Sequence, residues 1–277
     1  ALVLVMALVS WLLFLTEIPT GLEYFSLVPL LWAALRFGRR GAITSSFVMS
    51  AIALWGTLHD LGPFVTPDPN QSLLMLQVFM ATVTVTSLVM ASVILERRRL
   101  EQRLRIKDAV SRILAESPNM ADAAPKIIQV MCETGNWEVG AIWNVDRTLN
   151  ELSCVDFWSL PSVHVPEFEA LTRKTKFPPG MGLPGTVWNS RNPVWITDVT
   201  KNDNFPRAPA ATKEGLHAGI GFPIKLADEV IGIVECFSRE VGEPDNDFLE
   251  MAGAIGAQLG QFMERKRPED ALRESES

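Results

Sequence analysis

The chain has 277 residues, 48% of them hydrophobic, and a mean hydropathy of +0.17, higher than a soluble enzyme of this length normally carries. Its formal net charge is -7 and its pI about 5.1, which leaves no basic face for nucleic acid beyond short arginine runs. Of the 25 Lys and Arg and 32 Asp and Glu, only Glu17, Glu23, Arg36, Arg39, Arg40, Asp60 and Asp68 precede Glu96, so two solvents are implied, lipid first and water second.

Ala1 to Leu15 is apolar apart from Ser10 and has neither an initiator Met nor a basic leader, which argues against a secretory signal. It reads as a membrane helix cut at its front. Gly41 to Leu58 and Ser72 to Leu95 are each long enough for a hydrocarbon core of roughly 30 Å, which takes about 20 residues. Tyr24 to Leu35 is too short alone and contains Pro29, so it must borrow residues from Ile18 onward, or lie tilted or re-entrant. Arg36, Arg39 and Arg40 follow it, Arg97, Arg98 and Arg99 follow the last span, and the loop from His59 to Gln71 has no Lys or Arg. The positive-inside rule therefore puts both basic clusters, and everything after Leu95, in the cytoplasm of a multi-pass inner-membrane protein.

From Glu96 to Leu114 the chain is charged but keeps Leu100, Leu104, Val110 and Leu114 at helical spacing, which predicts a connector helix over residues 96–117 that continues the last membrane helix into the cytosol. Its reading stays open between a solvated connector and a dimeric coiled coil. A helical pattern runs through Cys132. Strands follow at Glu138 to Val145, Glu151 to Trp158 and Val194 to Asp198, with a helix at Val165 to Lys174. Ala218 to Leu226 and Val230 to Phe237 form a hairpin about Ala227, Asp228 and Glu229, and a last helix spans Asp245 to Glu264, with Pro268 expected to interrupt it. Hairpins between terminal helices predict an α+β fold, an antiparallel sheet flanked by helices.

The stretch Phe177-Pro-Pro-Gly-Met-Gly-Leu-Pro-Gly-Thr-Val-Trp188, with Pro193 to Val199, Asn204-Phe-Pro-Arg-Ala208, Gly215-Leu-His-Ala218, Gly221-Phe-Pro-Ile224 and Gln258 to Arg265, resembles the GAF domains of bacterial sensor kinases. Pro29 to Gly38, Trp55-Gly-Thr57, Gly62-Pro-Phe64 and Glu96-Arg-Arg98 resemble the last spans of a MASE-type membrane-associated sensor domain, a family with more spans than are read here. The resemblances imply a transmembrane helical sensor region over 1–95, truncated at its N-terminus, a connector over 96–117, a GAF domain over 118–266, and in 267–277 the start of a linker to a further domain. In the GAF family a tail such as Ala271 to Glu276 leads into a PAS domain or a histidine kinase core.

Several motifs have blander explanations. Gly180-Met-Gly182-Leu-Pro-Gly185 satisfies GxGxxG literally, but no strand precedes it and no βαβ unit surrounds it, so a tight turn beside a ligand cavity is preferred to a dinucleotide site. His59-Asp60-Leu61-Gly62-Pro63 superficially resembles a histidine phosphoacceptor box, yet it falls in the predicted outer loop, away from cytosolic ATP. His164 and His217 lack clustered partners for metal or heme. Cys132, Cys154 and Cys236 are not followed by His as a bilin attachment would favour, and they fall within predicted elements, so inert packing is expected rather than reductase thiolate chemistry.

Trp143, Trp158, Trp188 and Phe222 are candidates to line an apolar ligand site, with Asp198 and His217 as polar anchors by GAF resemblance. Core packing is the competing role for each aromatic. No cofactor, metal ligand or catalytic residue is expected in this chain, and the GAF ligand is not readable from it. The expected partners are the lipid bilayer, a second copy of the chain, a small molecule, and a response regulator reached through a kinase region. A diguanylate cyclase input module is the alternative of the same class. A membrane transporter component with a regulatory domain is the alternative of another class, opposed by the scarcity of ionisable residues within the spans.

Overall fold

The computed structural model describes residues 27–276, together with Leu8 and Trp11. The span expected at Ala1 to Leu15 otherwise lies outside them. The chain divides into two compact units, Ala1–Leu100 and Glu101–Ser277.

In the first unit, α1 (Leu27–Leu58) is kinked at Gly38 (φ 64°, ψ -150°), and α2 (Pro69–Glu116) begins after a short loop. Gly41–Leu58 and α2 are both long and apolar enough to cross a membrane. The segment before Gly38 is helical from Leu27, and the residues from Ile18 that it was expected to borrow lie outside the described ones. Gly38, with non-helical backbone angles, joins it to the helix that follows at a kink.

Leu30, Ala33, Met49, Ala53, Phe64, Leu76, Phe79 and Val83 form a small core here, with the Phe64 and Phe79 rings 4.9 Å apart. Ser46 Oγ donates to Ser87 Oγ across the helices at 2.8 Å, and Arg98 donates to the Leu35 carbonyl at 3.1 Å. Around that core, Phe47, Leu74, Val78, Val85 and Leu88 remain exposed, an apolar surface suited to lipid or further helices.

The last turns of α2 belong to the second unit. Ile106, Val110 and Leu114, four residues apart, enter its core, while Leu100 and Leu104 stand exposed. The apolar stripe expected from Leu100 to Leu114 is therefore two stripes on different faces, since 3.6 residues per turn puts Leu104 and Ile106 on nearly opposite sides.

The order continues α3 (Met120–Gly135), β1 (Val139–Asp146), β2 (Glu151–Ser159), α4 (Pro166–Lys174), α5 (Gly182–Ser190), β3 (Val194–Ile196), a 3-10 turn (Val199–Lys201), α6 (Ala208–Glu214), β4 (Ala218–Leu226), β5 (Glu229–Ser238) and α7 (Asn246–Glu276). Asn119 caps α3 by accepting from the Asp122 N–H at 3.0 Å. The strands form one antiparallel sheet in the order β2-β1-β5-β4-β3.

One face of the sheet packs on α2, α3 and α7 through Ile142, Ile220, Phe222, Val234 and Cys236. The other, through Val139, Ala141, Trp143, Ile233 and Phe237, packs on α4, α5 and α6. Arg103 joins α2 to the start of α7, bonding Asp245 at 2.7 Å and Asp247 at 2.6 Å. Along α7, an added Cβ would lie 2.0 Å from the Pro223 carbonyl oxygen at Gly256 and 1.8 Å from that of Lys225 at Gly260. Only glycine lets this helix lie directly on the β4 backbone.

Two further expectations differ from the structure. The third strand ends at Ile196 because Asp198 turns to cap the 3-10 turn, accepting from the Thr200 N–H at 3.1 Å. The last helix passes Pro268 and runs to Glu276. A proline forfeits one bond to the fourth carbonyl before it, and a helix otherwise bonded on both sides can continue through that loss.

Candidate functional site

Glu235 stands in the central strand β5, opposite Ala141 of β1 and Gly221 of β4, on the face covered by the short helices. A carboxylate there is out of water and needs a partner. Arg207, at the N-terminal boundary of α6, supplies it by donating Nη1 to Oε1 and Nη2 to Oε2, both at 2.7 Å. Nη1 also donates to Thr172 Oγ1 of α4 at 2.9 Å. The guanidinium is 1% exposed and the carboxylate 0%, so the pair is sealed from solvent.

Five rings enclose the guanidinium carbon: Phe168 at 4.9 Å, Phe205 at 5.1 Å, Phe177 at 5.2 Å, Phe237 at 5.3 Å and Trp143 at 5.5 Å. Their faces favour a cation, and with the two-point ion pair they offset the cost of taking it out of water. Two donors inside the cage, Arg207 Nε and Trp143 Nε1, have no partner among the described residues. The pair ties the segment between β3 and β4 to the middle of the sheet.

Beside it, Asp198 Oδ1 accepts from Thr200 Oγ1 at 2.7 Å and meets His217 Nδ1 at 3.0 Å, and Oδ2 lies 3.1 Å from Lys201 Nζ. The Thr200 hydroxyl, then His217 and Lys201, hold the Asp198 carboxyl far below its ordinary range.

The six candidate residues do not share one cavity. Asp198 and His217 are brought together. Trp143 is a wall of the arginine cage, and Trp188, half-buried at the end of α5, packs on the same side of the sheet. Phe222 lies on the opposite face, in the core under α3 and α7, and Trp158 packs against that same core. A cavity of about 670 Å³ does open on this helix face, lined by Met120, Ala124, Ile142, Val155, Ile231 and Met263 among others. Arg207, Glu235, Thr172 and the cage phenylalanines were not among the candidates. The available signal was Glu235, a lone charge in the apolar run Val230 to Phe237.

The GxGxxG glycines serve a turn. Gly180 and Gly182 have φ of 86° and 63°, and an added Cβ at Gly185 would lie 2.3 Å from the Pro178 carbonyl oxygen. Asn204 clamps that turn, donating to the Gly180 carbonyl at 2.8 Å and accepting from the Gly182 N–H at 3.2 Å. Cys132 and Cys236 are buried, and burial followed by the nearby Glu235 charge pushes the half-buried Cys154 thiol up to about 11. Among the described residues no three His, Cys, Asp or Glu side chains are grouped to hold a metal ion.

The domain is thus an antiparallel five-stranded sheet with long helices on one face and short helices over a closed polar cluster on the other, in a chain that also has membrane-length helices. The family model described as GAF domain matches residues 117–264, and the MASE1 model matches residues 1–98. The chain belongs to the GAF domain family, with a MASE1 region in front, and is a membrane-associated sensory input module.

Among solved structures, the GAF domain of a phosphoenolpyruvate-protein phosphotransferase (ptsP) from Coxiella burnetii is similar at 17% identity, over 61% of this chain and 98% of that one, with a TM-score of 0.51. The A. Aeolicus nlh2 GAF domain in an inactive state is similar at 21% identity, over 61% and 99%, with a TM-score of 0.49. Free methionine-R-sulfoxide reductase from Neisseria meningitidis, in complex with its substrate, is similar at 18% identity, over 60% and 92%, with a TM-score of 0.49. The likeness to the first of these, with a TM-score of 0.51 at 17% identity, bears on the fold alone. No curated protein matches the chain closely enough to count as a relative.

Proposed function

We propose that this chain is the input portion of a homodimeric, multi-pass inner-membrane sensor histidine kinase, whose cytoplasmic GAF domain relays a small-molecule signal toward a response regulator. The observation that carries this reading is α2. One unbroken helix of 48 residues contains a stretch long and apolar enough to cross a bilayer and also contributes Ile106, Val110 and Leu114 to the GAF core. Arg103 then ties that helix to the start of α7. In this reading α2 passes a displacement of the membrane segment toward the helix that leaves the domain. A ligand bound to either unit biases the output only by its differential affinity for two states, typically about 1–3 kcal/mol.

In this reading the bilayer is the first partner, and Asp198 and His217 are polar contacts for the GAF ligand, with Trp143 and Trp188 on the same side of the sheet. Trp158 and Phe222 act from the other face by packing α3 and α7. The full-length protein in native membranes, given labelled ATP, is expected to take up acid-labile, base-stable phosphate characteristic of phosphohistidine. Formation of a cyclic dinucleotide from GTP, with no such phosphorylation, would replace the kinase reading with the cyclase one.

A further inference from the structure

We propose that the cavity between the end of α5 and the β4–β5 turn binds a free α-amino acid with an apolar side chain. This cavity of about 670 Å³ falls within the range of small-molecule sites, about 300–1,000 Å³. Its apolar lining is Val145, Leu226 and Val230, together with Trp188.

Four charged side chains line the same space. Arg147 and Glu229 pair with each other, so their charges cancel locally. Arg191 and Asp228 also line the cavity, yet they pair neither with each other nor with any other described residue. The cavity therefore presents one cation and one anion, both open to water and without an ion-pair partner among the described residues, beside an apolar wall.

That combination selects among ligand chemistries. A simple carboxylate would satisfy Arg191 but face Asp228, an amine would do the reverse, and a neutral apolar molecule would leave both charges unused. A molecule carrying carboxylate and ammonium on one carbon answers both, with its side chain against Trp188 and the apolar lining. Arg191 and Ala227 are also two of five non-glycine residues with positive φ among the described residues, at 56° and 52°. The backbone of the rim therefore turns sharply at both places.

This inference deepens the sensory reading by giving it a ligand class, and it is independent of the output enzyme. Its test is direct binding, so its failure leaves the phosphorylation experiment unaffected. The full chain in lipid nanodiscs should be dialysed against radiolabelled L-phenylalanine and L-leucine. Saturable binding is expected for at least one, weakened tenfold or more in Arg191→Ala and in Asp228→Asn. 3-Phenylpropionate and phenethylamine, each with one of the two charges, are expected to compete at least tenfold less well than phenylalanine. Both substituted side chains are exposed, so folding should survive, which circular dichroism verifies. Absence of saturable binding for both amino acids, or binding unchanged in both variants, would overturn the proposal.

Discussion

Arg207 and Glu235, 28 residues apart in sequence, meet at two contacts of 2.7 Å each, with neither side chain open to water. Removing one partner strands a charge in the core, which typically costs about 3–5 kcal/mol, whereas replacing both by apolar groups of similar size is often neutral. Glu235→Gln and Arg207→Met are each expected to lower the stability of the domain by that order, and the double variant Arg207→Met/Glu235→Leu to be more stable than either. Denaturant unfolding followed by tryptophan fluorescence measures all three. Additive losses would show that the pair is not coupled.

Asp198 has its folded-state pKa depressed, chiefly by the Thr200 hydroxyl and then by His217 and Lys201. A depressed carboxylate contributes stability that is present above its ordinary pKa of 3.8 and is lost as pH falls below it. The melting temperature of the wild type is expected to fall more steeply between pH 5 and pH 3 than that of Asp198→Asn. Parallel curves would contradict this.

Gly260 lies where a Cβ would sit 1.8 Å from a backbone oxygen, while at Gly253 the nearest atom is a side-chain carbon, Cγ of Pro193, at 3.3 Å. Gly260→Ala should therefore push α7 off β4 and cost about 1–3 kcal/mol or more, as overpacking does. Gly253→Ala is expected to change stability little, because the proline ring needs to give by only a few tenths of an ångström. Thermal unfolding of the two variants compares them directly.

With the Cys154 thiol raised to about 11 and Cys132 and Cys236 buried, little thiolate is present at neutral pH. Iodoacetamide at pH 7.5 is expected to modify the folded chain slowly and all three cysteines rapidly after denaturation. Mass spectrometry of timed samples reads both rates. Fast native modification of Cys154 would reopen thiolate chemistry.

Much of the fold was legible in local pattern. The hairpin about Ala227 and the span Gly41–Leu58 lie where alternation and apolar length place them. What was not legible depends on register and on contacts across the chain. Phe222 aligns with Val234, which aligns with Ile142, whereas Trp143 aligns with Ile233 and Pro223. Alternation along one strand shows that neighbouring residues face opposite ways, but only cross-strand register shows that Phe222 and Trp143 lie on opposite faces.

α6, at seven residues, is too short to show a helical period, and it begins at the arginine that closes the site. The continuity of α2 was legible too, because the helical spacing from Leu100 to Leu114 carries on from the last span, but that Ile106, Val110 and Leu114 enter the sheet's core was not. The pairing of Arg207 with Glu235 is a tertiary fact that no local spacing encodes.

The central claim is that α2 carries the signal from a bilayer into a cytoplasmic domain. A membrane-impermeant maleimide applied to intact cells expressing Leu61→Cys or Lys107→Cys tests it most directly. Labelling of Leu61→Cys in intact cells, and of Lys107→Cys only after permeabilisation, is the expected result. Labelling of Lys107→Cys from outside intact cells would contradict it.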